Sequence, residues 1–246
     1  MPDLQVSLKF RGKVILDSTG LGTGLRDKKN QITEDFISYV QKALQGQRPL
    51  IQSYRVYEGI SGSSAQANIT GTEQAVNEFS LTFTANFQGL NTPIVELYLQ
   101  AVLTDGTIVT IARVTNNFPQ AIHTLTVTWV LSVDFTVYNP PNYSIDITGI
   151  YELIFNFFVN PTTLTVSPPS LNVSYSPTSV PEYQGLDGLS FYVAFNNYGS
   201  AGLCPVVQYN ITYSLLGSQV LDLTGYFNCT PLPNILNYVF FSLNIS

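Results

Sequence analysis

Apolar and polar residues alternate with period two along most of this chain, the signature of half-buried β-strands. The plainest case is Leu125, Val127, Trp129, Leu131, Val133, Phe135 and Val137, interleaved mainly with threonine, serine and Asp134. Phe79, Leu81, Phe83, Ala85 and Phe87 form a second apolar face opposite Ser80, Thr82, Thr84 and Asn86. Ile94–Leu103 and Thr107–Val114 flank Asp105-Gly106, a strong hairpin signal. At the N-terminus Leu4, Val6, Leu8 and Phe10 alternate, and Arg11-Gly12 reads as a turn into Lys13–Leu16, giving a hairpin.

Only one segment predicts a helix, about Glu34 to Gln45. Thr33 suits the N-cap, Glu34 and Asp35 suit the positive end of the dipole, and Gly46 can close the C-terminus. Phe36, Val40, Ala43 and Leu44 fall on one face. Prolines 140, 141, 161, 168, 169, 177 and 181 punctuate the middle of the chain. Beyond them Leu189–Phe195, Val206–Leu215, Val220–Phe227 and Ile235–Asn244 read as a second set of short strands. The expected fold is all-β: two β-sandwich (jelly-roll-like) domains with one short helix near the N-terminus. The expected division is 1–55 as a basic docking element of hairpin plus helix, 56–160 as the first sandwich and 161–246 as a second, projecting sandwich.

Charge divides the 246-residue chain differently from hydropathy. Residues 1–55 hold nine of the ten lysines and arginines, against five acids. The remainder holds only Arg113 against eleven acids, and the net charge is −6. Charged residues make up 11% of the chain, against about a quarter in ordinary domains. Nucleic-acid binding needs clustered bases; those of the front end are diluted by acids, so no specific nucleic-acid partner is expected. Lys9, Arg11, Lys13, Arg26, Lys28 and Lys29 are instead the candidate docking residues. Residues 1–5 lack a basic segment followed by an apolar one, so no secretory signal is expected. The most apolar run, Ile147–Val159, carries Glu152 and is shorter than the roughly 20 residues of a membrane-spanning helix.

Catalytic chemistry finds little purchase. His123 is the single histidine and stands among threonines with no local nucleophile motif. One histidine and two separated cysteines cannot form the usual zinc sets, and the carboxylates lack calcium-loop spacing. Gly20-Leu21-Gly22-Thr23-Gly24 lacks the lysine of a phosphate loop and no helix starts directly after it. The chain is therefore read as non-enzymatic, without catalytic residues, metal site or cofactor. Cys204 and Cys229 can form a disulfide or remain two thiols, and the reading leans toward a bridge. Asn68, Asn142, Asn172, Asn210, Asn228 and Asn244 each begin an N-x-S/T sequon, five of them after residue 139.

The ordered set Phe79-Ser-Leu-Thr-Phe-Thr-Ala-Asn-Phe, Asp105-Gly-Thr-Ile-Val-Thr-Ile-Ala-Arg-Val and Leu125-Thr-Val-Thr-Trp-Val-Leu resembles a β module of phage tail-fibre and baseplate proteins over about residues 28–137. In composition and expected architecture the chain resembles penton and turret proteins of turreted icosahedral archaeal viruses from hot acid springs. These resemblances imply a virion structural protein, assembled in the host cytoplasm as a homo-oligomer with its C-terminal part exposed. Its N-terminal region would meet other capsid or virion proteins. A vertex subunit (penton base or turret) is the first reading. A tail-fibre or baseplate subunit binding a host-surface receptor is the alternative, and a cell-surface carbohydrate-binding module, with tyrosines as stacking platforms, is the third.

Overall fold

A computed structural model of the chain describes residues 3–19, 26–75, 77–90, 93–115, 124–139, 145–176, 183–196, 207–227 and 236–246. In chain order the strands are β1 (Asp3–Thr19), β2 (Arg26–Lys29), β3 (Gln31–Ile32), β4 (Ile51–Glu58), β5 (Ser64–Ala75), β6 (Glu78–Gln88), β7 (Glu96–Leu103), β8 (Ile108–Thr115) and β9 (Thr124–Tyr138). There follow β10 (Ser170–Ser176), β11 (Tyr183–Asp187), β12 (Ser190–Asn196), β13 (Val207–Leu215), β14 (Ser218–Phe227) and β15 (Leu236–Ile245). Helices α1 (Glu34–Leu44) and α2 (Thr148–Val159) complete the list with one short 3-10 turn, Pro161–Thr163. The protein is mostly β, as its alternation predicts.

Twelve strands form one large sheet, curled into a half-barrel, in the order β11-β12-β15-β1-β9-β6-β5-β4-β7-β8-β3, with β2 also on β1. Strands β10, β13 and β14 form a second, small sheet. The inner face of the curl is apolar: Leu4, Val6, Leu8, Phe79, Leu81, Phe83, Val127, Trp129 and Leu131 are all inaccessible to solvent. Helix α1 begins as its caps direct, with Phe36 N–H donating to the Thr33 hydroxyl at 3.2 Å. It packs on both β8 and β15, far apart in the sheet order, and so bridges the two arms of the curl. Gln41 donates to the carbonyl of Ile245 on one side, and Thr33 N–H donates to that of Ile111 on the other.

Two expectations are corrected. The N-terminal hairpin is one continuous 17-residue strand, paired along its length with β9. Gly12 is not a turn residue there. A Cβ on it would lie 2.5 Å from the Asn30 side chain and 2.8 Å from Leu131, so glycine serves a close approach inside the strand. Second, the run Ile147–Val159 contains helix α2, which buries Ile150, Leu153, Ile154, Phe157 and Phe158 at helical spacing. The described residues thus hold two short helices rather than one.

The large sheet runs across the boundary expected at 160/161. Strand β15 pairs in parallel with β1, from Asp3↔Phe240 to Leu8↔Ile245, and antiparallel with β12. Residues 3–19 are therefore the spine of the large sheet. The C-terminal strands do make a second layer. The small sheet lays Tyr213 against Phe191 and Phe241, and Tyr209 against Phe195, with ring centroids 5.2–5.6 Å apart. The layer's partner is thus the end of the large sheet rather than a sheet of its own.

The buried tyrosines make the fold's pH dependence one-sided. Burial holds the phenols of Tyr39, Tyr54 and Tyr213 above the ordinary tyrosine value. A raised folded-state pKa gives stability that is complete below the unfolded value, about 10, and is lost as pH climbs above it. On the acid side, Thr107 N–H lowers Asp105 and the Thr148 hydroxyl lowers Asp146, so their contributions fade only as pH falls through those lowered values. Both carboxylates lie at the surface, where such effects are small. Melting curves from acid to alkali should show near-neutral stability at a pH of about 3 and collapse above about 10; cooperative unfolding near pH 4 would contradict this.

Candidate interaction surfaces

The outward side chains of the large sheet fall into three neighbouring zones. On β1 the solvent-facing residues include Lys9, Arg11 and Lys13, all exposed, because alternation sends every second residue outward. Arg11 gives its Nε to Asp134 on β9 at 2.6 Å and forms an ion pair with the same carboxylate. Lys9 is in register with Asp134 as well, so a carboxylate lies among the bases and the strip is not purely cationic. Strand β2 brings Lys29 opposite Lys13 and Lys28 opposite Val14, with Arg26 opposite Leu16. The six candidate docking residues thus lie on two adjacent strands.

The second zone is broad and uncharged. Thr124, Thr126 and Thr128 of β9 stand beside Thr82, Thr84 and Asn86 of β6, and these beside Asn68, Thr70 and Thr72 of β5. Thr84 is opposite Thr128 on one side and Asn68 on the other. The Thr126 hydroxyl donates to Asn86 at 2.8 Å. Threonine favours the pleated backbone, and short side chains lose little rotamer freedom on docking.

The third zone, on β4, β7 and β8, carries an aromatic–guanidinium group. The Tyr57 and Tyr98 rings lie 6.1 Å apart, and the Arg55 guanidinium sits 5.8 Å from the Tyr57 ring centre. Arg55 donates to Gln100 at 2.8 Å, and Arg113, in register with Tyr98, donates to Gln31 at 2.9 Å. The Tyr98 hydroxyl donates to Glu96, which raises its pKa above the ordinary phenol range. Gly59 makes room for this ring, since a Cβ there would come within 3.2 Å of it. These residues are pre-ordered by one another. Sequence reading missed the pair, because Tyr57 and Tyr98 meet only through the β4–β7 register.

The other sequence candidates are scattered. Asn68 is exposed within the threonine zone, Asn172 is exposed on β10, and Asn244 is exposed on β15. Asn210, half-buried on β13, donates its amide to Asp222 at 3.0 Å. The Gly20–Gly24 loop, His123, Asn142, Asn228, Cys204 and Cys229 lie outside the described residues. Among the described residues no group of three His, Cys, Asp or Glu is placed to hold a metal ion, and no helix is long and apolar enough to cross a membrane.

Comparison of the chain with family models, curated proteins and solved structures found no match.

Proposed function

We propose that this protein is a structural subunit of a virion, in the vertex (penton base or turret) role, and that it self-associates through the outer face of its large sheet. The observation that carries the reading is the threonine zone: three adjacent strands present a surface of short, uncharged polar side chains. Such a surface offers hydrogen bonds to a neighbouring copy without burying unpaired charge. The β-module resemblance of residues 28–137 spans these strands. The strip of Lys9, Arg11 and Lys13 at its flank would meet carboxylates of other virion components. The two-layered end, with Asn172 on its small sheet, would face outward, and its low charge suits an acidic exterior. A glycan on Asn68 would stand on the docking face itself, so sugars, where present, belong on the outward sequons.

Thr84→Lys is the direct test. The side chain points away from the core, so stability should change by no more than about 0.5–1 kcal/mol. A lysine there leaves an unpaired charge in the contact, and sedimentation should show the assembled species lost. Unchanged assembly would exclude this face.

A second reading, receptor binding as a tail-fibre or baseplate subunit, is favoured by the third zone. Tyr57 and Tyr98 with two arginines and Glu96 form a platform of the kind that stacks on sugar rings. Under that reading Tyr98→Ala would abolish adhesion to host cells without affecting assembly.

A further inference from the structure

Four arginines have described side chains, and three of them place Nε on an acceptor: Arg11 on Asp134, Arg55 on Gln100 and Arg113 on Gln31. Arg48 differs. Its Nε is buried and has no hydrogen-bond partner among the described residues. Buried donors are almost always satisfied, so this one points to an acceptor that the described residues do not supply. The residue forms part of the wall of a cavity of about 300 Å³ between α1 and β8. From α1, at helical spacing, Asp35, Ser38 and Lys42 line the same space, and Ile108 of β8, 45% exposed, gives it an apolar side. The Tyr39 hydroxyl is already committed to the carbonyl of Pro49 at 2.9 Å.

We propose that this cavity binds a phosphate group carried on a small polar molecule. Rotation about its side-chain torsions brings the Nε–Nη edge of Arg48 onto two phosphate oxygens, Lys42 neutralises the second charge and Ser38 donates a third hydrogen bond. The space exceeds a bare phosphate, which leaves room for a carrier along Ile108. Two carboxylates face these cations. Asp35 lines the cavity and accepts from the carrier's hydroxyls. Asp105, on the β7–β8 turn, acts on Arg48 through its charge alone. Neither the threonine face nor the assembly it is proposed to mediate is involved, so this site stands or falls separately.

The test uses nitrogen-15-labelled full-length protein and reads the arginine Nε–H resonances, with Arg48→Lys to assign the signal. Glycerol 2-phosphate and inorganic phosphate are titrated at constant ionic strength against chloride. The Arg48 signal should shift saturably with glycerol 2-phosphate while those of Arg55 and Arg113 stay in place, and Lys42→Gln should weaken binding about tenfold. Inorganic phosphate should bind more weakly, and Asp35→Asn should tighten it. Melting-temperature shifts with the same ligands, lost in Arg48→Gln, report the same binding if solvent exchange broadens the resonance. No saturable response by either method, equal movement of all three arginines, or indifference to Lys42→Gln would overturn the proposal. Tighter binding of the bare ion than of the ester would overturn the carrier.

Discussion

Phe158→Ala should destabilise the protein by about 3–5 kcal/mol, the range for emptying a buried phenylalanine site. Phe158 is wholly buried on α2 and ties together elements distant in sequence. Its ring lies 5.9 Å from that of Phe10 on β1, 6.0 Å from that of Phe36 on α1 and 5.0 Å from its neighbour Phe157. Loss of the ring leaves a cavity where the sheet's spine and both helices meet. Its backbone carbonyl, which accepts from the Tyr54 hydroxyl at 2.8 Å, is untouched, so the helix itself should persist. Denaturant titration should show one transition displaced to lower midpoint with an unchanged slope. A loss below about 1 kcal/mol would mean that α2 contributes little to the core.

Glu58→Ala should cost about 2–4 kcal/mol, a large figure for a polar residue and one with a different cause. Glu58 is completely buried at the end of β4. Its carboxylate accepts from Ile60 N–H at 3.0 Å, and from both the N–H and the hydroxyl of Ser61 at 2.6 Å. It thus organises the loop from Gly59 to Ser63 that turns the chain into β5. Alanine would leave those backbone donors without an acceptor. Glu58→Gln, which keeps one carbonyl oxygen, should lose less than half as much. Chemical denaturation of the two variants separates the readings: equal losses would mean that the cost is packing rather than unmet hydrogen bonds.

Much of the fold was legible because its determinants are local. The caps and one-sided face of α1 specified it to within a residue, and the alternation of β6 and β9 put Phe79–Phe87 and Leu125–Phe135 on the inner face. Helix α2 carried its signal too, in the spacing of Ile150, Leu153, Ile154, Phe157 and Phe158. Apolar Tyr151 and Phe155 on its other flank blurred the amphipathic pattern, because α2 is packed on several sides. Gly12 misled because a glycine that permits close approach looks the same in sequence as one that turns the chain. The parallel pairing of β1 with β15 joins residues more than two hundred positions apart and leaves no local trace, so composition could not have revealed it.

The candidate surfaces follow the same rule. Lys9, Arg11 and Lys13 share a face only because β1 runs on without the turn expected at Arg11-Gly12, whereas the β6 and β9 parts of the threonine zone were visible as the polar half of those two strands. That these strands lie side by side, and that Tyr57 meets Tyr98 while the Nε of Arg48 is left without an acceptor among the described residues, are products of register and packing. Glu58 offered a weak hint, a carboxylate two and three residues before the glycine-flanked donors that it caps.

The claim that this is a self-assembling virion subunit is tested most directly by the mass of the purified full-length protein in solution. Sedimentation velocity over a wide concentration range should reveal a closed five-fold ring, the symmetry of a vertex, since subunits of this kind assemble into closed point groups. A protein that remains monomeric at every concentration would contradict the account.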